Sequence, residues 1–145
     1  MADERKGWVR DLVEFALDHD VNREIDEHRR VLEANPDSAA AHFNLGVLYY
    51  SQRRVREAIA EYEASIKCDP TLAPAYRKLG EVYISIGDYE RAGQYAQEAA
   101  RLGDRALLEM FERYPIIGRL QQQSVREGVL EAPTADQERT QCTNQ

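Results

Sequence analysis

Residues able to do chemistry are scarce in this 145-residue chain: two cysteines, three histidines and one tryptophan. Cys68 and Cys142 form no CxxC redox pair and no zinc ligand set, so a reduced compartment is the simple reading. There is no glycine-rich phosphate loop and no nucleophile motif, which removes the usual grounds for expecting an enzyme or a bound cofactor. Long hydrophobic runs are missing too. Arg10, Asp11 and Glu14 interrupt the first 20 residues, so neither a signal peptide nor a membrane-spanning helix is expected, and a cytoplasmic location follows. Cations are the minority charge, 19 against 26 carboxylates for a net charge of −7, which argues against general affinity for nucleic acid or an anionic membrane.

What the chain does contain is a sentence written twice. With residues 39–72 set over residues 73–106, the large and small residues coincide: His42 with Tyr76, Leu45 with Leu79, Gly46 with Gly80, Tyr49 with Tyr83, and Ala58 with Ala92. Within the first copy, His42, Leu45 and Tyr49 fall on one stripe of a 3.6-residue period, and Ala58, Tyr62 and Ser65 form another. A glycine inside a helix costs about 1 kcal/mol against alanine, so Gly46 and Gly80 imply a packing reason. The expected reason is close approach of two helices at the small pairs Gly46/Ala58 and Gly80/Ala92. Asn35-Pro36 and Asp69-Pro70, also 34 residues apart, stop helices, as do Gly87-Asp88 and Gly103-Asp104. The pattern predicts helices at about 38–52, 54–68, 72–86 and 88–101.

The order large residue, Leu-Gly, Tyr and distant Ala closely follows the 34-residue tetratricopeptide pattern, and the chain resembles that repeat family. The first copy also carries the late aromatic, Tyr62, and the closing proline, Pro70; the second has Ala96 and Asp104 there. The resemblance implies an all-α, right-handed superhelix of stacked helical hairpins with a C-terminal capping helix. Residues 39–72 and 73–106 are the two clear repeats. Counting back 34 residues reaches a worn copy at 5–38, with Trp8, Phe15 and Pro36 in place, Asp11-Leu12 for Leu-Gly and Glu24 for the small alanine. It is read as a divergent hairpin with more widely spaced helices. Residues 107–115, containing Leu107, Leu108, Met110 and Phe111, are read as the cap, because an open end of a repeat array exposes apolar surface. Residues 116–131 read as a weak helix or linker, and 132–145 as a polar, disordered tail.

The family's first helices line a concave face, and transferring those positions names a candidate groove. It comprises Lys6, Val9, Arg10 and Val13 from the worn copy, Phe43, Asn44, Val47 and Tyr50 from the next, and Arg77, Lys78, Glu81 and Ile84 from the last. Four cations against one carboxylate on an acidic protein, with an apolar band between, point to a protein or peptide partner carrying acidic residues beside large apolar side chains. The alternative is a structural subunit that self-associates, as a homo-oligomer, or docks onto a larger assembly through its ends. Of the residues with which some family members clamp chaperone tails, only Asn44 and, loosely, Lys78 match; Val9, Val13 and Pro74 do not. Asp20, Glu24 and His28 share a helix face that could hold a metal, but a solvated acidic helix start explains them as well, and no metal site is assigned. The Arg53, Arg54 and Arg56 run reads as a solvated turn, and Trp8 as a core residue.

Overall fold

The computed structural model describes residues 4–115 and Arg119, with side chains from Arg10 and from Leu12 onward. Six helices follow one another: α1 (Glu4–Ala34), α2 (Ala39–Ser51), α3 (Val55–Cys68), α4 (Ala73–Ser85), α5 (Tyr89–Arg101) and α6 (Ala106–Arg113). Among the described residues there is no strand. Each helix packs on its neighbours in the chain, α1 on α2, α2 on α3, α3 on α4, α4 on α5 and α5 on α6, with α6 also reaching back to α4. The result is a row of stacked helical hairpins.

Local chemistry sets the boundaries. Ser38 caps α2, its hydroxyl accepting from Ala41 N at 3.3 Å, and Asp88 caps α5 by accepting from Arg91 N at 3.2 Å. Pro74 sits in the first turn of α4, where its missing N–H costs nothing. The turns after α2, α4 and α5 are built alike: Arg54 N donates to Tyr49 O, Asp88 N to Tyr83 O and Asp104 N to Ala99 O, each at 2.9 Å. That closure needs a left-handed residue just before the donor, supplied by Arg53 (φ 59°), Gly87 (φ 82°) and Gly103 (φ 101°). Arg53 therefore carries a side chain where the two other turns have glycine.

The core is one continuous cluster in which the stripe residues Leu45, Tyr49, Leu79 and Tyr83 meet Ala58, Tyr62, Ala92 and Ala96. Ser65, fully buried, donates to Ala39 O at 2.9 Å and fastens α3 to the start of α2. Of the two matched glycine positions, Gly80 does approach its expected small partner, a Cβ there lying 3.4 Å from the Ala92 carbonyl oxygen, whereas Gly46 meets a different neighbour. A Cβ at Gly46 would lie 2.7 Å from the Tyr62 ring, so the glycine admits an aromatic ring, not the alanine expected beside it. In the second copy Ala96 replaces that aromatic, and the space against Gly80 is taken by Leu107 of α6. Leu107 and Phe111 are the buried residues of α6.

The structure departs from the sequence reading at the N-terminal end. Residues 5–38, read as a hairpin, form the single 31-residue helix α1 and the short connection to α2. The aligned turn position, Asp18-His19-Asp20, is continuous helix; with Leu12 and Glu24 where the later copies have the glycine and the small alanine, the two halves lack the close contact on which the other hairpins fold. Only its second half packs: Ile25 is buried and Val21 and Leu32 lie against the core, whereas Arg10 and residues 12–20 are exposed. Gln52 Nε2 donates to Asn22 Oδ1 at 3.0 Å, which puts Asn22 level with the far end of α2. Residues before it project past the array by roughly 25 Å at 1.5 Å per residue. The readings for 116–131 and 132–145 lie outside the described residues, apart from exposed Arg119.

Candidate binding face

α2 and α4 place their candidate residues on the side turned away from the buried stripes. On α2, Asn44 is exposed, Val47 is 39 % exposed and Tyr50, one turn on, is 36 % exposed. Phe43 is only half-exposed and packs its ring on Tyr62, centroids 5.7 Å apart, so it serves the core as much as the face. On α4, Arg77, Lys78, Glu81 and Ile84 are all half-buried, and Ile84 leans on the core. The two rows converge over Tyr62, whose hydroxyl is held in its neutral form by burial first, then by Glu81 from α4 and Tyr50 from α2.

The charges on this face are already paired. Arg77 donates through Nη1 to Glu81 at 2.6 Å and through Nε to Asp104 at 2.8 Å, while Lys78 Nζ donates to the other oxygen of Glu81 at 2.7 Å. Two cations thus share two carboxylates. The sequence count of four cations against one carboxylate missed Asp104, which arrives from the α5–α6 turn 27 residues away. Its one signal was its place in the repeat, where the first copy has the closing Pro70. The guanidinium of Arg77 remains charged: burial opposes its protonated form, but the hydrogen bonds it donates to Asp104 and Glu81 outweigh that opposition.

The four α1 candidates are not brought to this face. Lys6, Val9, Arg10 and Val13 lie on the projecting half of α1, and Val13 is about 13 Å further along the helix than Asn22 at 1.5 Å per residue. Exposed Arg10 faces Glu14 at 3.7 Å instead. The break that would have returned these residues to α2 is the one absent at 18–20.

Other charged groups hold elements together. His42 bridges two acceptors, Glu61 Oε2 at 2.7 Å from Nδ1 and Pro36 O at 3.1 Å from Nε2. The Glu61 hydrogen bond is the largest cause raising the His42 pKa above its usual value, and burial partly offsets it. Tyr49 receives a hydrogen bond from Arg29 Nη2 at 2.8 Å and carries the Arg54 guanidinium 4.4 Å above its ring, joining α1, the turn and α2. Arg54 is thereby engaged, and Arg53 and Arg56 stay exposed. Asp20 pairs with Arg23, and among the described residues no three His, Cys, Asp or Glu side chains are grouped to hold a metal. No described helix is long and apolar enough to cross a membrane.

Comparison with known proteins agrees with this architecture. The tetratricopeptide repeat family matches at residues 28–73 and, in a second form of the repeat, at residues 61–94. Two Arabidopsis thaliana proteins are similar: a TPR repeat-containing thioredoxin, TTL4, and an inactive TPR repeat-containing thioredoxin, TTL3. Each is 25 % identical over 83 residues, 57 % of this chain. The chain spans 12 % of the length of each, so the likeness speaks for the repeats and not for the remainder of those proteins.

Proposed function

Because the chain is a tetratricopeptide repeat protein, of a family whose repeats generally mediate protein–protein interaction, we propose that its α2–α4 face holds a segment of a partner protein. The observation that carries this reading is the exposed row Asn44, Val47 and Tyr50: two large apolar side chains one turn apart, beside an amide able to donate and accept. The best ligand is an extended or helical segment with one or two large apolar residues entering beside Val47 and Tyr50. A carboxylate on the ligand would compete with Glu81 for Lys78. Since Glu81 and Asp104 already neutralise the local cations, the acidic preference is weaker than the cation count alone suggests, and apolar contact supplies most of the affinity.

The test is a fluorescence-anisotropy screen of peptides varied in apolar and acidic content. Val47→Asp with Tyr50→Ala should weaken the best binder by roughly a hundredfold with an unchanged circular-dichroism spectrum. Glu81→Gln, which frees Lys78, should tighten binding of acidic members, and added salt should reverse that gain because exposed charges are screened over about 8 Å. If the double variant binds like the parent, the face is misassigned.

A further inference from the structure

The charged groups on the α2–α4 face form a closed set. Where the first copy has Phe43, Val47 and Pro70, the second has Arg77, Glu81 and Asp104, and Lys78 stands where the first has Asn44. All four carboxylate oxygens accept a hydrogen bond. Glu81 takes one from Arg77 Nη1 at 2.6 Å and one from Lys78 Nζ at 2.7 Å; Asp104 takes one from Arg77 Nε at 2.8 Å and one from Ala106 N at 3.2 Å. Two cations and two carboxylates sum to no net charge. Arg77 and Lys78 nevertheless carry more N–H groups than these bonds use, so the cluster is neutral and still able to donate.

Asp104 is the anchored member of the set. Its N–H donates to Ala99 O at 2.9 Å, closing the end of α5, and its side chain accepts from the first residue of α6, so both its main chain and its carboxylate are tied down. A carboxylate arriving on a ligand would have to displace this one from Arg77, with no net gain in charge pairing. An uncharged acceptor displaces nothing and takes the N–H groups left over. Main-chain carbonyls are the acceptors that every segment carries, and they are available in an extended segment, whereas a helix spends them on itself. The cluster borders the apolar row, since Glu81 and Tyr50 both bear on the Tyr62 hydroxyl, so one segment can use both. Resting on the reading of this face given above, we propose that Asp104 is its specificity-determining residue. By holding Arg77 it keeps the cluster neutral, and the face takes an extended, uncharged segment. The carbonyls of that segment accept from Arg77 and Lys78 while its apolar side chains meet Val47 and Tyr50.

Two linear peptides test it, alike in a pair of leucines separated by one residue and differing only in having glutamine or glutamate around them. In anisotropy titrations of the full chain at low salt, their dissociation constants should agree within roughly threefold. Asp104→Asn, which keeps the shape and an acceptor for Ala106 N, should favour the glutamate peptide by roughly tenfold, and added salt should erase that preference. Adding Arg77→Met should abolish it too, because Asp104 acts through Arg77. A merely structural role for Asp104 would make Asp104→Asn weaken both peptides in parallel and leave their ratio unchanged, a result that overturns the proposal. The glutamine peptide held helical by a hydrocarbon staple should bind at least roughly tenfold more weakly than its linear form; anything tighter overturns the extended assignment. A parent chain that prefers the glutamate peptide beyond the stated margin overturns this proposal and leaves the face in place, whereas one that binds neither peptide overturns both.

Discussion

Tyr62 occupies the space that Gly46 leaves open, and this contact explains why a helix tolerates glycine at its centre. An added methyl group would sit 2.7 Å from the ring of a side chain that is itself completely buried, so the ring has nowhere to retreat. Gly46→Ala should therefore destabilise by about 1 to 3 kcal/mol through overpacking, despite alanine's better helix propensity of about 1 kcal/mol. Urea denaturation with an unchanged slope checks this, and a stabilised variant would mean the ring moves freely. The glycine was legible in the sequence as a close approach; its partner was not. The repeat pattern aligned Gly46 with Ala58, but a small residue at one position leaves room for any neighbour, and only three dimensions select the tyrosine. Asp104 escaped for a similar reason, since a turn residue pairing with a helix 27 residues earlier follows no period.

At the scale of elements, α2 to α5 were readable because Pro36 and Pro70 lie one repeat length apart, with Gly87 half a repeat further on, between apolar stripes. α1 was not, since its large residues keep the spacing of a hairpin while Leu12 and Glu24 stand where the paired helices of the later copies have small residues, and the helix runs on unbroken. The junctions between elements rest on polar ties, and His42 brings to one of them a group whose ordinary pKa lies near neutrality. Both of its ring nitrogens point at acceptors, Glu61 and the Pro36 carbonyl, with Asp37 adding further negative charge nearby, so the protonated imidazole satisfies the site. A folded-state pKa raised above the ordinary 6.5 contributes stability that is fully present below that value and lost as pH rises through the folded one. Unfolding midpoints should accordingly fall as the pH is taken upward from mildly acidic through neutral, and His42→Gln should remove that part of the slope. An identical pH profile in the variant would count against the bridge. α6 depends on two apolar anchors, and Phe111→Ala should cost about 3 kcal/mol as a buried aromatic is lost. A loss under about 0.5 kcal/mol in chemical denaturation, the size of a surface change, would show that α6 is not docked.

For the whole molecule, stability is distributed by position in the row, because each helix touches little beyond its neighbours. The interior helices α3 and α4 have packed helices on both sides, whereas the first half of α1 is exposed among the described residues. Native-state hydrogen exchange should find its slowest amides around residues 58–66 and 75–83, with α6 exchanging sooner. Uniform protection from α2 to α6 would instead indicate one cooperative unit. The seating of Leu107 against Gly80 also bears on how such an array could lengthen. α6 fills the gap that the second copy leaves by having Ala96 where the first has Tyr62, so the last repeat and its cap are matched to each other. A duplicated 34-residue unit spliced between Leu72 and Ala73 would keep that match and simply extend the row, whereas one added after Ala106 would evict α6 and leave Gly80 facing a void. Growth by gene duplication is open in the middle of this protein and closed at its C-terminal side.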